Sequence, residues 1–137
     1  MKFRSTVLAS SLAIAALVVA AQASASCPYP KAPGGIPDGS KATKEEMLAG
    51  MKTMRAYNDL VAKYTDCLKT DHDAAIAKID PALTADKKDA QKVELDKVLQ
   101  QKNDAAVDEA QAVTTRFNDQ IKAFKAADAA RQAAAKP

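Results

Sequence analysis

Three groups of side chains in this chain have types that could do chemistry. Cys27 and Cys67 are the two cysteines, His72 is the one histidine and stands between Asp71 and Asp73, and Met47, Met51 and Met54 recur at steps of four and three. Each admits a reactive reading and a bland one. Two thiols could form a redox pair, but these are 40 residues apart rather than Cys-x-x-Cys, and neither has a neighbour pattern that would stabilise a thiolate. Asp71-His72-Asp73 has the types of a metal cluster. Adjacent residues on a helix point in different directions, however, and no second histidine strengthens the set. Three thioethers on one helical face could hold Cu(I). Methionines at that spacing also fill the gaps of a core, which is the reading adopted here. Carboxylates are plentiful but sit in mixed-sign patches such as Lys92, Glu94, Asp96 and Lys97, which read as solvated helix surface. There is no strand signal and no glycine-rich phosphate loop. The sequence therefore nominates no catalytic residue, no metal site and no cofactor.

The elements that would position these residues come next. Lys2 and Arg4 precede an apolar run from Thr6 to Ala21, and Ala23-Ser24-Ala25 follows. This predicts a signal peptide over residues 1–25 with cleavage after Ala25. The run is short for a membrane anchor and no second hydrophobic stretch follows, so no stable membrane insertion is expected after cleavage. Of 20 Lys+Arg and 17 Asp+Glu, the signal takes two bases and no acid. The remaining 18 and 17 leave net charge +1, which gives no support for a nucleic-acid partner. The exported part has 112 residues (137 less 25), enough for one domain with a thin helical core.

Residues 26–42 read as an arm. Pro28, Pro30, Pro33 and Pro37 lock the backbone, and Gly34, Gly35 and Gly39 permit turns, so extended structure with a turn at Pro37-Asp38-Gly39 is predicted. Thr43-x-x-Glu46 is a capping box that opens a helix. From there Met47, Met51, Met54, Val61, Leu68, Ala75 and Ile79 recur at helical spacing, the same series passing through His72, and Tyr57, Leu60 and Tyr64 widen the stripe. Asp80-Pro81 ends that helix. A second stripe, with Leu95, Val98, Leu99, Ala106, Ala110, Val113, Phe117, Ile121 and Phe124, runs over about Pro81 to Ala130, with Asp80 or Thr84 as N-cap.

Two long helices joined tightly must lie antiparallel, so residues 43–130 are predicted to form an all-α, coiled-coil-like two-helix hairpin, with residues 131–137 a disordered tail. A fold about residue 81 sets position i against about 162 minus i. Met51 then meets Ala110, Tyr57 meets Ala105 or Ala106, and Tyr64 meets Val98. A competing architecture breaks the first helix at Thr70 to Asp73 and gives three helices.

In an oxidising compartment the two cysteines are expected to pair. The arm is long enough, about 50 Å if extended, to run back along the helices and carry Cys27 to Cys67. A competing reading makes Cys27 a lipidated cysteine, although Ser24 stands where a lipobox has an aliphatic residue.

Several of these pieces together resemble a family of small exported helical proteins of Gram-negative bacteria whose activity is uncharacterised. They are Ile36-Pro37-Asp38-Gly39 with Ala42-Thr43-x-x-Glu46-Met47, Tyr57, Tyr64-x-x-Cys67-Leu68, Asn103-x-x-x-Val107-Asp108, and Val113 with Phe117-Asn118-x-x-Ile121-x-x-Phe124. The resemblance implies a secreted or periplasmic helical protein and assigns Cys67 and the Ile36–Gly39 turn to its structure. It brings no catalytic residues. The expectation is a non-enzymatic interaction or structural module that binds an unidentified protein or a second copy of itself. The alternative expectation is a small-ligand or copper binder of the envelope.

Overall fold

The computed structural model describes residues 27–136. The expected signal peptide over residues 1–25 lies outside the described residues. Two helices, α1 (Lys44–Ala77) and α2 (Ala85–Ala134), pack antiparallel as a hairpin, and residues 27–43 run along them without regular secondary structure.

α1 starts where the capping box puts it. Thr43 Oγ1 accepts from the Glu46 N–H (3.2 Å), and Glu46 Oε2 accepts from the Thr43 N–H (2.7 Å). Glu45 and Glu46 add negative charge in the first turn. The helix ends at Ala77, two residues before the expected Ile79, as the N–H groups of Lys78 and Ile79 tighten to three-residue bonds with Ala75 and Ile76. It runs unbroken through Thr70 to Asp73, so the three-helix alternative is excluded. Thr70 does not cap there; its hydroxyl bonds back to the Asp66 carbonyl at 3.0 Å, within the helix.

Pro81 was expected to start the second helix. It sits instead in a turn held by Asp80, whose carboxylate accepts from the Ala82 N–H (2.8 Å) and whose carbonyl accepts from the Leu83 N–H (3.2 Å). Thr84 takes the N-cap position of α2. At the other end α2 continues to Ala134, so residues 131–134, expected in a disordered tail, are helical. An alanine run without proline or glycine has nothing to stop it.

The longer turn changes the register. Pairing i with 162 minus i would put His72 opposite Ala90 and Gly50 opposite Ala112. The structure puts His72 against Asp96 and Gly50 against Phe117, six and five positions further along α2. Tyr64 therefore clusters with Ala106 and Leu99, while Val98 is exposed. Met51, expected to face Ala110, is 37% exposed at the edge of the seam.

The arm forms a third layer over one side of the seam. Met47, Met54, Tyr57, Val61, Val113 and Phe117 make the main core with Ala42, and Ala32 and Ile36 of the arm pack on it. Two glycines permit the close approach. A Cβ on Gly39 would overlap the backbone carbonyl of Gln120, and one on Gly50 would come within 2.9 Å of the Phe117 ring and 3.0 Å of Pro37. At Gly50 it is the rings of Phe117 and Pro37, not another stretch of backbone, that occupy the space a side chain would need.

Candidate functional site

Cys27, Cys67, Asp71, Tyr29 and Tyr64 come together where the arm crosses the middle of the hairpin, while His72 and the methionines lie elsewhere. Cys27 and Cys67 form a disulfide with their Cα atoms 5.7 Å apart, tying the first described residue to α1. A sulfur in that bond cannot also carry a lipid. The tie lays Tyr29 across the outside of the seam, where it stays half exposed. Its ring meets Tyr64 edge-on at 5.3 Å, and its hydroxyl donates to Glu109 Oε2 at 2.7 Å. That bond, with further contributions from burial and the Glu109 charge, pushes the Tyr29 pKa up to about 12.

Tyr57 lies beneath, 2% exposed. Its hydroxyl finds no hydrogen-bond partner among the described residues. Burial first, and the Glu109 charge second, raise its pKa. Of the tyrosines gathered here, Glu109 bonds Tyr29 alone. That bond holds the arm in place, and the cluster offers no nucleophile paired with a base.

The Asp71-His72-Asp73 triplet spreads as helical geometry requires. Asp71 points to the disulfide, with Oδ2 3.2 Å from Cys27 Sγ. His72 points across the seam, with Nε2 2.7 Å from Asp96 Oδ1. Asp73 stays at the surface, 3.4 Å from His72 Nδ1. The three do not converge on one point. The methionines also divide: Met47 and Met54 are core, Met51 is not, so no three-thioether face exists.

Several contacts were invisible to sequence reasoning. Tyr29–Glu109 and Gly39 N–H to Gln120 Oε1 (2.9 Å) join residues 80 and 81 positions apart, and no local pattern announces them. His72–Asp96 required the correct register. Asp71 beside Cys67 could have been found, since four residues on a helix share a face.

On the side opposite the arm the seam is uncovered. Asn58, Val61, Ala62 and Thr65 of α1 and Val107, Ala110, Gln111 and Thr114 of α2 line a shallow groove there. Protein-family models, curated proteins and solved structures offer no match to this chain. Among the described residues, no helix is long and apolar enough to cross a membrane.

Proposed function

We propose that this is an exported, periplasmic, non-enzymatic module that works through protein contacts, its simplest partner a second copy of itself. The observation behind this reading is the asymmetry of the seam. One side is closed by the chain's own arm; the other presents Ala62, Val107, Ala110 and Thr114, small side chains that let another helix approach closely. A two-helix seam buries little by itself, and further helices would complete a bundle. The groups with the best credentials for chemistry are spent on structure: the cysteines in a disulfide, Tyr29 on Glu109, His72 on Asp96.

Burial of Met47, Met54, Tyr57 and Tyr64 in the core favours this reading over a small-ligand or copper binder, while Met51 and Tyr29 stay exposed.

Crosslinking in intact cells with a photoreactive residue at Ala62 or Gln111 tests the interaction reading. Adducts confined to that face, and mass increasing with concentration in sedimentation, are expected. A monomer at high concentration with full thermal stability and no adduct would refute it.

A further inference from the structure

The disulfide lies beside a carboxylate that has no use in the oxidised protein. Asp71 Oδ2 is 3.2 Å from Cys27 Sγ, yet a disulfide sulfur has no proton to donate and an ionised carboxylate has none either. Asp71 makes no ion pair and no other side-chain hydrogen bond among the described residues. One ligand atom from each of Cys27, Cys67 and Asp71 lies within 4.8 Å of the other two, and all three residues are partly exposed. The fold assembles them from two directions. Cys67 and Asp71 are four residues apart on one face of α1, and the arm brings Cys27 across to that face.

We propose that, once the disulfide is reduced, Cys27, Cys67 and Asp71 form a Zn²⁺ site, so that the arm is tied to α1 by a covalent bond in the oxidised chain and by a metal in the reduced one. The reduction needs a dithiol. It is oxidised to its own disulfide, and the Cys27–Cys67 bond takes up two electrons and two protons to give two thiols. Zn²⁺ then releases both protons to solvent and binds two thiolates and the Asp71 carboxylate, with a water in the fourth position.

The geometry suits this ion. Tetrahedral zinc holds a thiolate and a carboxylate oxygen about 3.5 Å apart and two thiolates about 3.8 Å apart. The Cys27 sulfur and the Asp71 oxygen are already at 3.2 Å. With Cα atoms 5.7 Å apart, the sulfurs reach their separation by side-chain rotation. Two soft sulfurs disfavour Mg²⁺ and Ca²⁺, and the hard oxygen disfavours Cu(I). Asp71 thereby gains a role that the oxidised chain does not give it.

The test uses the exported chain, Ser26 to Pro137, oxidised and anaerobically reduced, titrated with Co²⁺ and then Zn²⁺. The reduced chain is expected to bind one Co²⁺ with thiolate-to-cobalt absorption and the strong visible bands of four-coordinate cobalt. Zn²⁺ should bleach these bands, and the oxidised chain should show none. Asp71→Asn should weaken Zn²⁺ binding by about tenfold or more, and Cys67→Ser should abolish it. Zn²⁺ should also raise the Tm of the reduced chain, because binding to the folded form restores the tie. The proposal is overturned if the reduced chain binds no more Co²⁺ or Zn²⁺ than the oxidised chain. It is equally overturned if Asp71→Asn binds Zn²⁺ as tightly as the parent. A reduced chain whose helix content and Tm do not respond to Zn²⁺ also overturns it, since thiols of an unfolded chain would then be the ligands.

Discussion

The two halves of the hairpin use similar residues and differ in one neighbour. In the half under the arm, Met47, Met54, Tyr57, Val61, Tyr64 and Leu68 face Ala106, Val113 and Phe117, and all are buried. In the half toward the turn, from Lys69 to Ala105, no residue is buried, although Ile76, Ile79, Leu83, Leu95 and Leu99 lie there. Val93 is 65% exposed. Two helices side by side make a seam; an interior needs a third layer. Here that layer is an irregular, proline-rich strap, and its reach along the hairpin sets the extent of the core.

Removing the tie should have the largest effect. A disulfide closing 40 residues is worth about 4 kcal/mol by chain-entropy arithmetic. Cys67→Ser, in the absence of metal, should lose about that much stability in urea unfolding. Hydrogen exchange should show the loss concentrated over Met47 to Leu68, with Lys69 to Ala105 little changed. Equal loss in both halves would break the comparison.

Truncations sharpen it next. Phe117→Ala removes a ring that fills the space at Gly50, and should cost about 3 kcal/mol. Leu95→Ala, in the half without an interior, should cost less than about 2 kcal/mol. Thermal melts of the two variants give the difference directly.

Within the arm, two glycines make a smaller and cleaner contrast. A Cβ at Gly39 would overlap Gln120, while at Gly34 nothing lies within 4 Å. Gly39→Ala should cost about 1–3 kcal/mol. Gly34→Ala should stay within about 0.5 kcal/mol.

Much of this was legible in the sequence because it is local or periodic. The capping box, most of the apolar stripe of each helix and the prolines of the arm each act over a few residues and appear where their spacing puts them, whereas Met51, Leu60 and Val98, read as stripe residues, are exposed. The Cys27–Cys67 pair followed from counting and reach. The register did not, since it depends on how many residues the turn consumes, and Asp80 holds Pro81 in a turn where a helix start was equally compatible with the residue types. That one difference changed which residues of α2 stand opposite each position of α1. It also hid the Asp96 partner of His72, because a side chain can be assigned a contact across two helices only after the register is known. Asp71 went unread for another reason. Neighbours in a triplet on a helix face three directions, so Asp71 belongs with Cys67, four residues back, and not with His72 and Asp73.

The smallest effect concerns the half that lacks an interior. His72 is 16% exposed and bonds Asp96 across the seam at 2.7 Å. Its hydrogen bond to Asp96, and secondarily its contact with Asp73, hold its pKa above the ordinary 6.5 against an opposing push from burial. A base whose pKa is raised by folding stabilises the fold fully below the unfolded value of 6.5, and that contribution is lost as pH rises through the higher folded value. Stability should therefore fall modestly across that window, and Asp96→Asn should flatten the dependence and return the His72 titration, followed by NMR, toward 6.5. The same titration in the Cys67→Ser variant asks whether the turn half needs the arm. A His72 that still titrates above 6.5 with the tie cut means that the bare seam holds its own register. A return to 6.5 means that the strap governs both halves and that the boundary at Leu68 marks burial only.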